Sequence, residues 1–344
     1  VPNVPKFLFI VKYRVGSGGE CAYDGTPYSF GGLYYSSLFV VQMLRSLGIQ
    51  AKLVQVCDNS DIDREVYKYK PDVVIIEALW VVPSKFEVLR KLHPNVEWVI
   101  RCHSEIPFIA YEGIAVEWLN EYVRERNVFI AANSQYSTRD FKSIVGKRYA
   151  HKVFYLPNYY PTGQKTKKTP NQFLDVGAFG AMRPLKNQLI QGLAAIEFAR
   201  QTNQNLRFHV NTRTEQGGGS VLKNLTALFA YSGFQLVEHS WGTREEFLEV
   251  VSQTDVGMQV SFSETFDITA ADTVTLGVPL VTSHEVPWAT DYCKAHQTNT
   301  ASIVRKLSLV TGWLKDPLIS TNISRLRRFC NDSRDIWQEF TSAY

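Results

Sequence analysis

Apolar residues gather in short runs through the first half of the chain, at 7–11, 51–56, 72–76, 96–101, 128–132 and 153–156. Between these runs, polar and apolar positions recur at helical spacing. Near-continuous apolar runs of strand length suit strands buried on both faces, so the alternation predicts a parallel sheet with helices on both sides. This half reads as Rossmann-like. The rhythm breaks over 157–172, where Pro157, Pro161, Gly163, Lys165, Lys167, Lys168 and Pro170 suit a connector rather than packing. It then restarts, with strands expected at 173–178, 206–211, 235–238, 256–260 and 279–282. The chain closes on an amphipathic pattern in which Ile323, Leu326, Phe329, Ile336, Trp337 and Phe340 share one helical face. With no strand of the second sheet left to cover, this helix is expected to cross back onto the first domain.

The expected organisation is α/β throughout. An N-terminal domain spans 1–160, a linker 161–172, a second Rossmann-like domain 173–320, and a helix packing back on the first domain 321–344. Two such sheets facing each other form a cleft, and open parallel sheets bind ligands beyond the carboxyl ends of their strands.

Composition narrows this picture only a little. A length of 344 residues agrees with two domains, and 45% apolar with 20% charged residues is ordinary for a globular protein. No apolar run approaches the ~20 residues of a membrane span. The net charge of +4 accommodates a phosphate-bearing ligand but is not the basic stripe of a dedicated nucleic-acid binder. Cys21, Cys57, Cys102, Cys293 and Cys330 are widely spaced, odd in number and without a CxxC pair. That fits neither a disulfide framework nor a zinc site, so no metal is expected and a reducing cytoplasm is the simplest setting. Val1 leads directly toward a strand without a signal peptide, and the N-x-Ser/Thr matches at Asn224, Asn322 and Asn331 are read as coincidence.

Candidate chemistry was sought where strands end. The loop after Lys12 is rich in glycine and tyrosine, including Gly18-Gly19 and Gly31-Gly32, but carries neither GxGxxG nor GxxxxGK[ST]. A long surface loop and an acceptor-binding loop remain equal readings of it. The fourth strand delivers His103 to the carboxyl edge, and the fifth delivers Asn133-Ser134, where Ser134 reads as the N-cap of the next helix. In the second half, Arg183 and Lys186 stand in the first strand-to-helix loop. Two cations beside a helix N-terminus suit a pyrophosphate, and solvated surface charge is the alternative. After the run at 256–260, Glu264 lies in the loop and Asp272 in the following helix, with seven residues between them and Gly277 closing the helix. Carboxylates so placed accept hydrogen bonds from vicinal sugar hydroxyls, while Asp272 also suits a helix dipole.

The segments GAFGAMRPLKNQ and SFSETFDITAADTVTLGVPLV resemble, in order and spacing, the donor half of retaining GT-B glycosyltransferases that carry a Glu-x7-Glu motif, the group 1 or family 4-like enzymes. The first half resembles them more loosely, through its glycine-rich loop, His103 and the LPN of residues 156–158. The resemblance implies a GT-B fold and a nucleoside diphosphate sugar donor, with UDP favoured and no cofactor required. Arg183 and Lys186 would neutralise the diphosphate, and the amides of Thr265, Phe266, Asp267 and Ile268 would cradle it. Glu264 would hold the transferred sugar, Asp272 would bind the ribose, His103 would lie near the sugar and the acceptor with Asn133 on the acceptor side, and Glu264, His103, Arg183 and Lys186 would form the catalytic set. Asp272 stands where the family has its second glutamate, which shortens the reach to the ribose. The family's early glycine pair corresponds to Gly18-Gly19 or Gly31-Gly32.

The first half is also similar to glycosyltransferases encoded by tailed phages, some of which modify hydroxymethylated bases of their own DNA. That makes DNA a candidate acceptor, contacted by Lys165, Lys167, Lys168, Arg325, Arg327 and Arg328. Transfer to a glycan or small molecule, nucleotide-sugar epimerisation, and non-catalytic binding on the same fold are the alternatives.

Overall fold

The computed structural model describes residues 5–12, 31–161, 166 and 168–344. Gly18, Gly19 and most of the first loop lie outside the described residues. The chain divides into two compact units, Val1–Pro161 with Cys330–Tyr344, and Thr162–Phe329.

The first unit holds strands β1 (Lys6–Lys12), β2 (Gln50–Val56), β3 (Val73–Glu77), β4 (Glu97–Cys102), β5 (Val128–Ala132) and β6 (Val153–Tyr155). They form a six-stranded sheet in the order β2-β1-β3-β4-β5-β6, paired in parallel. Successive side chains point to opposite faces, so each apolar run feeds two cores. Leu8, Ile10, Val74, Ile76, Trp98 and Ile100 pack on one face, while Phe7, Phe9, Val73, Ile75 and Val99 pack on the other. Trp337 completes the second face. Its ring centroid lies 5.7 Å from that of Phe9, and its Nε1 donates to the Pro157 carbonyl at 2.9 Å.

The second unit holds β7 (Phe173–Gly177), β8 (Asn205–Asn211), β9 (Gln235–His239), β10 (Val256–Gln259) and β11 (Leu280–Thr282). Their order is β11-β10-β7-β8-β9, again parallel. The direction of winding reverses between β7 and β10, and such switch points are where open α/β sheets bind ligands.

Three expectations need correction. The connector is not a segment too polar to pack. Lys168 Nζ lies 2.6 Å from both Asp175 and Asp255, and the Thr166 amide donates to the Leu276 carbonyl at 3.1 Å, so lysine here serves as a partly buried tether. Asp175 is itself saturated, accepting also from Asn171, Arg207 and His209. The last helix, Lys315–Ser342, does not begin a new body at 321. Asn322 accepts from the Thr290 amide and Arg325 donates to the Trp288 carbonyl, which ties this stretch to the second unit, and the division falls at Phe329 and Cys330. Finally, Cys57 is disulfide-bonded, whereas Cys102, Cys293 and Cys330 are free and buried. Spacing along the chain hides spatial proximity, and the cysteine pattern no longer argues for a reducing compartment.

Candidate functional site

At the carboxyl end of β7 the backbone turns through Gly180, whose φ of +111° only glycine adopts readily and whose amide donates to Asn211 Oδ1 at 2.9 Å. The chain then forms a single tight turn, Pro184–Lys186, that presents Lys186. Asn187, in the left-handed region, fixes the turn by donating from Nδ2 to the carbonyls of Val260 and Gln297, both at 2.9 Å. Gln191 donates to the Lys186 carbonyl and accepts from the Val260 amide, and the Phe262 amide donates to Leu185. These bonds fasten the loop after β7 to the loop after β10. Sequence reasoning missed Asn187 and Gln191; the run of amide side chains in KNQLIQ was the available signal.

The fastening brings Lys186, Glu264 and Asp267 together. Lys186 Nζ lies 2.6 Å from Glu264 Oε1 and 3.6 Å from Asp267 Oδ2. The Lys186 and Glu264 side chains are only 11% and 10% exposed, so water screens the pair weakly. Burial alone would lower the Lys186 pKa, but Asp267 and Glu264 outweigh it and hold the ammonium above its ordinary value. Arg183 precedes the turn and its charge also bears on Lys186. Asp267 is the N-cap of the helix Ile268–Thr275 and accepts from the Ala270 amide. Ile268 opens that helix, and Gly277, at φ +83°, follows its end. Thr265 is buried, and Phe266 is a core residue whose carbonyl accepts from Trp288 Nε1.

Asp272 is buried and engaged by the Arg244 guanidinium through both carboxylate oxygens. Arg244 opens the helix Arg244–Ser252, held by a capping box in which Thr243 and Glu246 bond reciprocally. Sequence reasoning did not find Arg244. The box pattern T-R-E-E marks the helix start, but nothing local reveals a partner 28 positions away.

The first unit carries a separate arrangement. Glu77 and Arg101 stand side by side at the carboxyl ends of β3 and β4, both fully buried. Arg101 NH1 lies 3.1 Å from each Glu77 oxygen, Nε donates to the Leu156 carbonyl, and NH2 donates to Pro157 and Asn158. The LPN tripeptide is thus the acceptor set for a buried guanidinium. His103 Nε2 lies 2.5 Å from Glu77 Oε2, and its Nδ1 lies 3.2 Å from Asn133 Nδ2. An ionised carboxylate only accepts, so Nε2 carries the proton and Nδ1 accepts from the amide. Burial first, and Arg101 after it, lower the His103 pKa and favour the neutral ring. Ser134 caps its helix by accepting from the Ser137 amide at 3.0 Å, as expected. Gly31 and Gly32 only begin the helix Gly32–Ser46.

Among the described residues, no group of three or more His, Cys, Asp or Glu is placed to hold a metal ion, and no helix is long and apolar enough to cross a membrane. No family model and no curated protein sequence matches the chain. Solved structures do. HepE of Anabaena, in complex with UDP and glucose, is similar with a TM-score of 0.68 at 14% identity, over 99% of this chain and 100% of that one. A UDP-forming α,α-trehalose-phosphate synthase from Burkholderia xenovorans gives 0.67 at 11% identity, over 98% and 99%. The N-terminal domain of trehalose-6-phosphate phosphatase from Candida albicans gives 0.71 at 11% identity, over 99% and 98%. The chain has the GT-B fold. Within it, the Lys186, Glu264 and Asp267 cluster occupies the switch point of the second sheet, while the Glu77, Arg101 and His103 network belongs to the first.

Proposed function

We propose that this chain transfers a sugar from a nucleoside diphosphate sugar to a hydroxyl acceptor, with retention at the anomeric carbon. One observation carries the reading: Lys186 and Glu264, from loops after adjacent strands β7 and β10, meet beside the N-terminus of Ile268–Thr275. That is a cation for a diphosphate, a carboxylate for sugar hydroxyls and a helix dipole for departing negative charge, in one place. On donor binding, Lys186 and Arg183 take the diphosphate, and Glu264, relieved of its lysine, accepts from the sugar. Asp272, already held by Arg244, orients the ribose side. Catalysis then rests on placement and on stabilising the leaving diphosphate, without a protein nucleophile. The complexes of HepE with UDP and with UDP-glucose support uridine as the nucleoside.

Calorimetry with UDP tests the site. Lys186→Ala and Arg183→Ala should each weaken binding at least about tenfold, since a charge-assisted bond contributes ~1.5–3 kcal/mol. Unchanged affinity in both variants sinks the assignment.

For the acceptor we put forward a hydroxymethylated base of DNA, on the resemblance of the first half to phage enzymes. A sugar acceptor is the second reading, favoured by the similarity to trehalose-phosphate synthases. Mass spectrometry of UDP-sugars incubated with hydroxymethylated DNA and with simple glycans separates the two. Epimerised sugar formed from donor alone would instead identify an epimerase, and donor binding without transfer or hydrolysis a non-catalytic protein.

A further inference from the structure

Asp267 occupies a backbone position that aspartate seldom takes. Its φ of +62° lies in the left-handed region that favours glycine, immediately before the helix Ile268–Thr275. Oδ1 is used as the helix cap, accepting from the Ala270 amide at 2.9 Å. Oδ2 is buried and has no hydrogen-bond partner. Lys186 does not supply one, because it stands 3.6 Å away and makes its short contact with Glu264. A buried carboxylate oxygen, paired with Lys186 at 3.6 Å but making no hydrogen bond, is therefore held where the donor site proposed above seats a diphosphate.

The charged groups facing it are Lys186 from the turn after β7, with Arg183 bearing on that lysine, and Glu264 from the loop after β10. Glu285, after β11, bears in turn on Glu264. Burial first, then the charge of Glu264 and the hydrogen bond that a protonated Asp267 can give it, push the Asp267 carboxyl up to about 7, against the pull of Lys186 and the Ala270 amide; the proton becomes free for a phosphate once Glu264 turns to the sugar. An ionised Asp267 would repel a diphosphate through a medium that screens poorly, whereas the neutral acid presents an O–H donor.

We propose that Asp267 takes up one proton from solvent when the nucleoside diphosphate sugar binds, and donates a hydrogen bond from Oδ2 to a donor phosphate oxygen. This inference rests on the donor-site reading. No bond of the donor is made or broken in the step; the carboxylate becomes a carboxylic acid and stays one while the donor is bound. A carboxyl whose pKa rises on binding gives affinity that is full below its free value and lost as pH climbs above it.

The test is calorimetry with UDP-glucose on the wild type, Asp267→Asn and Asp267→Gly between pH 6.5 and 8.5, in buffers of different ionisation enthalpy. Wild-type affinity should fall on the order of 20-fold across that range, following the shrinking protonated fraction. Uptake at pH 8.5 should be close to one proton per UDP-glucose. Asp267→Asn keeps an N–H donor and tolerates the left-handed backbone, so its affinity should be flat with pH and exceed that of the wild type at pH 8.5. Asp267→Gly, relieved of the φ constraint, should also be flat and take up no proton. Equal pH slopes in wild type and variants, or wild-type binding without proton uptake, overturn the proposal and leave the donor site standing. Failure of all three proteins to bind UDP-glucose or UDP at any of these pH values overturns both.

Discussion

Glu264 balances Lys186 in the free protein, and in the proposed donor complex it would instead accept from sugar hydroxyls. Its removal should therefore separate binding from turnover. Glu264→Ala is expected to keep UDP affinity within a few-fold and to lose most of kcat, and wild-type transfer rates would reduce the residue to a structural role. Glu77 is a different kind of acid. Burial would raise its pKa, but Arg101 and His103 overcome this and hold it below the ordinary carboxylate range. A depressed carboxylate contributes stability that is present above its unfolded pKa and lost as pH falls through the folded one. The His103 pKa is also depressed, so its neutral form adds stability that is lost as pH drops below the ordinary histidine value. The share of stability these two groups supply, read as the difference in denaturant midpoint between the wild type and a Glu77→Gln/His103→Gln variant, should stay level above about pH 6.5 and decline below it, histidine before carboxylate. In Glu77→Gln, breaking a buried ion pair should cost about 3–5 kcal/mol, read from urea unfolding.

At the scale of elements, the strands were legible in the sequence because strands buried on both faces must be apolar almost throughout. The pairings that build the sites were not. Glu77 and Arg101 each close an otherwise apolar run, and only the order β3-β4 makes them neighbours. Lys168 reads as linker charge until β7 and β10 bring Asp175 and Asp255 beside it. The acids Glu264 and Asp272 could be found from spacing alone, since one loop and one helix carry both, whereas Arg244 arrives from another helix. That helix has its own support. Thr243→Ala removes the cap and should cost ~1 kcal/mol. It should also loosen Arg244, so UDP affinity should fall while Lys186-dependent binding persists; a stability loss with unchanged affinity would detach Arg244 from the nucleotide.

For the whole molecule, the net charge of +4 decides little by itself, and the folded structure reduces the basic surface further. Lys168 is committed to two carboxylates, leaving Arg325, Arg327 and Arg328 exposed among the described candidates for DNA contact. Three phosphate contacts give a slope of log K against log salt of only about −3. A much steeper slope on hydroxymethylated DNA would require contacts from other residues, and a flat one would remove DNA as acceptor.

The last helix carries a consequence for how the protein is made. Phe7 and Phe9 leave the ribosome well before Trp337, which covers them, with the whole second unit translated in between. The first unit is therefore synthesised early and sealed late, with an apolar sheet face waiting through the translation of the whole second unit. A fragment ending at residue 161 should aggregate, and a peptide of residues 330–344 added in trans should restore its solubility, a result readable by sedimentation. A stop codon just before residue 330 would then be as damaging as one in the second unit, because the residues that close this core are made only after that unit.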